Sequence, residues 1–136
     1  MPQTLWDLCS QLPNGLHDMH VDRITVDFAR RLAILECDIW VTDHSLGSDI
    51  EQEEWRHGTL TLEGLLHCFF DPPDPSYPYA TAEPAWFVDV VDEEASLPQL
   101  KNLPEGAFAA RFFVNQWNSW IHVAATNAVL QWSDAT

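Results

Sequence analysis

Residues 16–41 carry two apolar alternations that answer one another, and the arrangement that buries both with least rearrangement is a long antiparallel hairpin. Ile24, Val26 and Phe28 alternate with Thr25 and Asp27, the period of a half-buried strand. With Ala29 and Arg30 as a two-residue turn, Ile24 lies opposite Leu35, Val26 opposite Ala33 and Asp22 opposite Cys37. The other face then pairs Thr25 with Ile34 and Arg23 with Glu36, an opposite-charge pair that contributes roughly 0.2–1 kcal/mol. A slip of one residue would lose both patterns. Ala-Arg lacks the Asn-Gly or Asp-Gly signature of such turns, so a longer loop through Arg31 is the alternative.

The flanking chain supplies more strands. Leu5, Trp6, Cys9 and Leu12 sit at helical spacing within residues 2–12, with Thr4 as cap and Asp7 three residues on. Pro13-Asn14-Gly15 stops that helix. Residues 42–56 read as an exposed acidic loop, with part of 48–55 able to form a helical turn. Residues 58–70 alternate as a third long strand, Leu60, Leu62, Leu66, Cys68 and Phe70 on one side, with a bulge or bend at Gly64. The prolines of 71–84 make a surface excursion. Trp86, Val88 and Val90 alternate with Asp89 as a fourth strand, closed by Asp92-Glu93-Glu94, and 95–104 is a loop or one helical turn. Phe108, Ala110, Phe112 and Val114 form a fifth strand, 120–125 a sixth and 129–132 a short last one. A turn at Asn118-Ser119 would set Trp117 opposite Trp120 and Asn115 opposite His122. The expected fold is mainly β (α+β): one antiparallel twisted sheet of six or seven strands with one N-terminal helix, a small sandwich being the alternative.

At 136 residues, 46% hydrophobic with seven Trp and seven Phe, the chain suffices for one core and reads as a single domain, 1–136. It contains no apolar run near the roughly 18 residues of a membrane span, and its start lacks a basic segment leading into an apolar one, so a soluble cytoplasmic protein is expected. Cys9, Cys37 and Cys68, an odd number without paired spacing, read as reduced and buried, a disulfide between two of them being the alternative. The formal net charge is −15, from 21 acidic residues against six Lys plus Arg, Lys101 being the only lysine. Such a field disfavours nucleic acid and anionic membranes and accelerates encounter with a basic partner, although it also serves plain solubility.

Leu16-His17-Asp18, then Ile24-Thr25-Val26-Asp27-Phe28 and a second strand rich in Leu and Ile, with Trp117-Asn118-Ser119 leading into Ile121-His122-Val123-Ala124-Ala125, resembles small bacterial proteins of unknown function. In those proteins a Leu-His-Asp opening leads into a long β-hairpin. Some families of this layout are similar to immunity proteins of polymorphic-toxin systems, which bind and silence a co-encoded toxin. The resemblance implies a binding role and transfers no catalytic residues; Met19-His20 stands where a small residue is more typical.

His17, Asp18, His20 and Asp22 form the dense cluster of potential ligands, and a metal-dependent enzyme on His17, His20 and Asp22, completed by His67 or His122, is the sharper reading. The plainer one has His17 and Asp18 fixing the helix-to-strand turn through backbone hydrogen bonds. Cys68 follows His67, but neighbouring strand residues point to opposite faces, which leaves only His122 as a base for a Cys-His pair. Asp89 and Asp92 read as a solvated edge. Phosphate loops, nucleophile elbows and His-Glu-x-x-His helices are missing from the sequence. Trp40, Trp55, Trp86, Trp117, Trp120 and Trp132 exceed what one core takes, so some belong on the surface, as do Tyr77 and Tyr79. Aromatic rings set among carboxylates suit a hot spot for a basic partner. The expectation is therefore a non-enzymatic protein without cofactor or metal that binds a basic protein, a hypothetical toxin domain, through Asp49, Glu51, Glu53, Glu54, Trp55, Asp92, Glu93 and Glu94. A self-associating homodimer is the alternative.

Overall fold

In the computed structural model, residues 2–42, 54–76, 83–92 and 102–133 are described. Short helix α1 (Leu5–Cys9) precedes eight strands: β1 (Met19–Asp27), β2 (Leu32–Trp40), β3 (Trp55–Glu63), β4 (His67–Phe70), β5 (Ala85–Asp92), β6 (Phe108–Val114), β7 (Ser119–Ala125) and β8 (Asn127–Trp132). They form one antiparallel sheet in the order β4-β7-β6-β5-β1-β2-β3-β8.

β2 alternates without fault: Ala33, Leu35, Cys37 and Ile39 are buried and the residues between them are half-buried. β1 does not, because its core-packed residues are Met19 and Val21, then Ile24, with a step of three in the middle. A bulge at Asp22 absorbs that step. Beyond it the expected register stands, Arg23 against Glu36, Ile24 against Leu35 and Val26 against Ala33. Before it the register shifts, so Val21, not Asp22, faces Cys37. The connection is a loop of residues 28–31 rather than a two-residue turn: Asp27 pairs with Leu32, Arg31 takes φ 52°, and the Asp27 carboxylate accepts from the Arg30 amide at 3.0 Å. Phe28 therefore leaves the apolar face and is 88% exposed.

β5 repeats the pattern. Phe87 is buried and Val90 packs on the core, again three apart, with a register shift between Phe87 and Asp89. The alternation of Trp86, Val88 and Val90 is thus broken after Phe87, and Trp86 lies exposed on the outer face.

The third strand ends earlier than its alternation implies. β3 stops at Glu63, Gly64 turns with φ +62°, and β4 starts at His67. β3 pairs with β8 while β4 pairs with β7, and only Thr126 separates β7 from β8. The two ends of the strand order are thus the same two chain runs, and the sheet curls round until it closes on itself. Among the described residues, eight strands replace the expected six or seven for this reason.

The β6–β7 connection also differs from expectation. A 3₁₀ turn over Asn115–Trp117 and a left-handed Asn118 (φ 45°) set Val114 opposite Ser119, Phe113 opposite Trp120 and Arg111 opposite His122. Trp117 does not face Trp120, nor Asn115 His122, because Gln116 is drawn away to hold the start of β5, bonding the Trp86 amide at 2.8 Å and the Pro84 carbonyl at 3.0 Å.

α1 has the expected cap, Thr4 Oγ1 accepting from the Asp7 amide and Asp7 Oδ2 from the Thr4 amide. It spans less than residues 2–12, since Gln3 pairs instead with Ala128 beside β8. Leu5 and Leu8 enter the same buried cluster as Phe87, Phe108 and Phe112.

Candidate functional site

On the outer face, one end of β5, β1, β2 and β3 carries Trp86, His20, Trp40 and Trp55. The ladders explain their meeting: His20 is the partner of Trp86 on one side and of Asp38 on the other, and Trp40 is the partner of Trp55. The His20 ring stacks on Trp55 at 4.9 Å and 15°, and Trp40 lies against Trp55 at 6.3 Å and 26°. With Asp18 these rings line an open cleft of about 260 Å³. Trp55 and Trp86 stay 39% and 38% exposed. A second hollow, lined by Glu83, Pro84 and Gln116, shares His20 and Trp86 with it.

Two polar residues hold the cleft. Asp18, in the left-handed conformation at φ 60°, donates its amide to the Val88 carbonyl, and its Oδ1 accepts from the Trp86 indole N–H at 2.8 Å. Its Oδ2 lies 3.1 Å from His17 Nε2, and His17 Nδ1 lies 3.7 Å from Asp89. Asn14 donates to the carbonyls of Trp40 and Thr42 at 3.2 and 2.9 Å, which fixes the end of β2. The chain entering β1 is thus fastened by Asn14 and by the Asp18 amide and carboxylate, where sequence reasoning looked to side-chain-to-backbone bonds from His17 and Asp18.

The proposed ligand set His17, His20 and Asp22 is dispersed: His17 turns to Asp18 and Asp89, His20 to Trp55, and Asp22 to another group. Among the described residues, Asp22, Asp38 and His57 bring one ligand atom each within 4.8 Å of one another. Asp38 and His57 are already paired at 2.8 Å. Their ladder pairing was the signal that could have found them, had the registers of β2 and β3 been combined.

Of the partner-binding residues named from sequence, Trp55 is in the cleft and Glu54 adjoins it, its amide bonded to Thr42 Oγ1 and its carbonyl accepting from Val41. Asp92 is six residues from Trp86 on β5, about 20 Å along the strand. Asp49, Glu51, Glu53, Glu93 and Glu94 lie outside the described residues, as do Tyr77 and Tyr79.

Cys68 stands opposite Val123 and packs on the core, while His122 faces the other way, stacked on Phe69 at 4.3 Å with Nε2 2.9 Å from Asp71. They form no nucleophile–base pair. All three thiols are unpaired, and burial pushes each above its ordinary value, Cys37 up to about 12. Asp38 and Asp22 push Cys37 the same way. Cys37 is therefore expected to resist alkylation in the folded protein at pH 8 and to react only on unfolding. Peptide mapping after a brief iodoacetamide pulse checks this, and rapid native labelling at Cys37 would contradict its burial.

No family model, curated protein or solved structure matches the chain. Among the described residues no helix is long and apolar enough to cross a membrane.

Proposed function

We propose that this is a non-enzymatic binding protein of the immunity type, which takes a basic protein partner on the face built by β5, β1, β2 and β3. The observation that carries the reading is the Trp40–Trp55–Trp86 cluster, Trp55 and Trp86 exposed and Trp40 half-buried, with carboxylates on both sides, Asp18 at its head and Asp22 and Asp38 beside His20. Large, rigid indoles give contact area at small entropic cost, and surrounding carboxylates exclude acidic competitors while steering basic ones. A net charge of −15 acts in the same direction over longer range.

The test is association with a basic domain encoded beside this chain's gene. Binding is expected at low salt and should weaken about tenfold or more between roughly 50 and 500 mM NaCl, as screening shortens the reach of the field. A basic neighbour ignored at low salt, or bound with no salt dependence, would contradict the proposal.

A further inference from the structure

We infer that the cleft between Trp40, Trp55 and Trp86 seats one arginine side chain of that partner, the guanidinium flat against an indole and Asp18 its counter-charge. This deepens the binding reading above and rests on it. The cleft's lining is three indoles, one imidazole and one carboxylate. Indole faces are electron-rich, and a cation placed over them is attracted by the ring quadrupole, most strongly where water is partly excluded. A sugar ring would also stack on indoles, but it needs several polar groups around its hydroxyls, and here Asp18 and His20 are the polar lining.

Arginine is favoured over lysine by the form of the site. The Asp18 carboxylate is anchored by the Trp86 indole N–H on Oδ1, with His17 Nε2 3.1 Å from Oδ2, and its side chain is 27% exposed, which leaves acceptor capacity for a donor in the cleft. A planar, forked donor uses such a carboxylate and a flat ring together, whereas an ammonium is a strongly hydrated point charge. The same chain makes this contact twice within itself, Arg56 over Trp132 at 4.2 Å and Arg111 over Trp120 at 4.4 Å. Asp22 and Asp38, next along the face from His20, add negative potential where the rest of a basic segment would pass.

The experiment follows the indole N–H signals of the full chain during titration with ethylguanidinium, n-propylammonium or methyl glucoside. Ethylguanidinium is expected to shift the Trp86 indole signal, assigned with Trp86→Phe, and to bind at least about fivefold more tightly than propylammonium. Asp18→Asn and Trp55→Ala should each weaken it about fivefold or more, with Trp55→Phe between, while unchanged amide spectra elsewhere show that the variants fold. Silence at roughly 50 mM, a response to the glucoside alone, or equal responses to both cations that ignore Asp18 and Trp55, would overturn the inference. The two readings fail separately. A basic partner weakened by Trp55→Ala but bound equally by wild type and Asp18→Asn removes the arginine seat and leaves the proposed function standing. Ethylguanidinium filling the cleft when no basic neighbour binds keeps the seat and removes the wider role.

Discussion

Deletion of Thr61 is expected to abolish folding, whereas deletion of Asp22 should leave a folded protein. Thr61 lies mid-strand in β3, paired on one side with Ile34 and on the other with Val129 in unbroken ladders. Removing it puts the two halves of the strand out of phase, so Leu60 turns outward with Thr59 and His57 brought in, or Leu62 turns outward with Glu63 brought in. Exposing one such leucine costs about 1.5–3 kcal/mol, and each polar group buried without a partner adds roughly 1–3 kcal/mol. Together these approach the typical 5–15 kcal/mol of total stability. Asp22 is the extra residue of a bulge, and without it Val21–Cys37, Arg23–Glu36 and Ile24–Leu35 become consecutive pairs of a regular ladder. The expected cost is about 1 kcal/mol, from lost local twist. Denaturant melts of both deletions check the contrast, and a cooperative, native-like melt for the Thr61 deletion would contradict the register.

Gly64→Ala carries the next largest effect. Its φ of +62° disfavours any side chain, and an added Cβ would overlap the Thr126 hydroxyl at the point where β3 gives way to β4 and β7 to β8. The left-handed conformation costs about 1–2 kcal/mol and the overlap about 1–3, so a loss of roughly 2–5 kcal/mol is expected. Gly106→Ala is the control, since φ is +84° there but nothing lies within 4 Å of the new carbon. It should lose only the conformational part. Thr126→Ala in the Gly64→Ala background should restore some stability, though the residue 126 Cβ would remain at 3.2 Å. Equal losses at Gly64 and Gly106 would show that the two long runs do not meet at this bend.

What the sequence disclosed follows from the range of each signal. The alternation in β2 and the Thr4–Asp7 cap are local, and both formed where expected. Steps of three from Val21 to Ile24 and from Phe87 to Val90 mark bulges, but a reading that seeks strict alternation passes over them, as it did in setting Asp22 opposite Cys37. Closure depends on β4 leaving β3's line for β7, a non-local choice with no sign in the run of 58–70 beyond Gly64. The site was legible in pieces. Trp40, Trp55 and Trp86 stood out by number, and Asp18 and His20 stood out as polar residues, but as metal ligands. Only the cross-strand registers place them around one cleft.

The most direct test of the binding face is a chemical-shift footprint of the isotope-labelled chain with its basic neighbour-encoded partner. The largest changes should fall on His20, Trp40, Trp55 and Trp86 and the strand ends that carry them, β1, β2, β3 and β5. A footprint confined to β4, β6 and β7 would contradict the account.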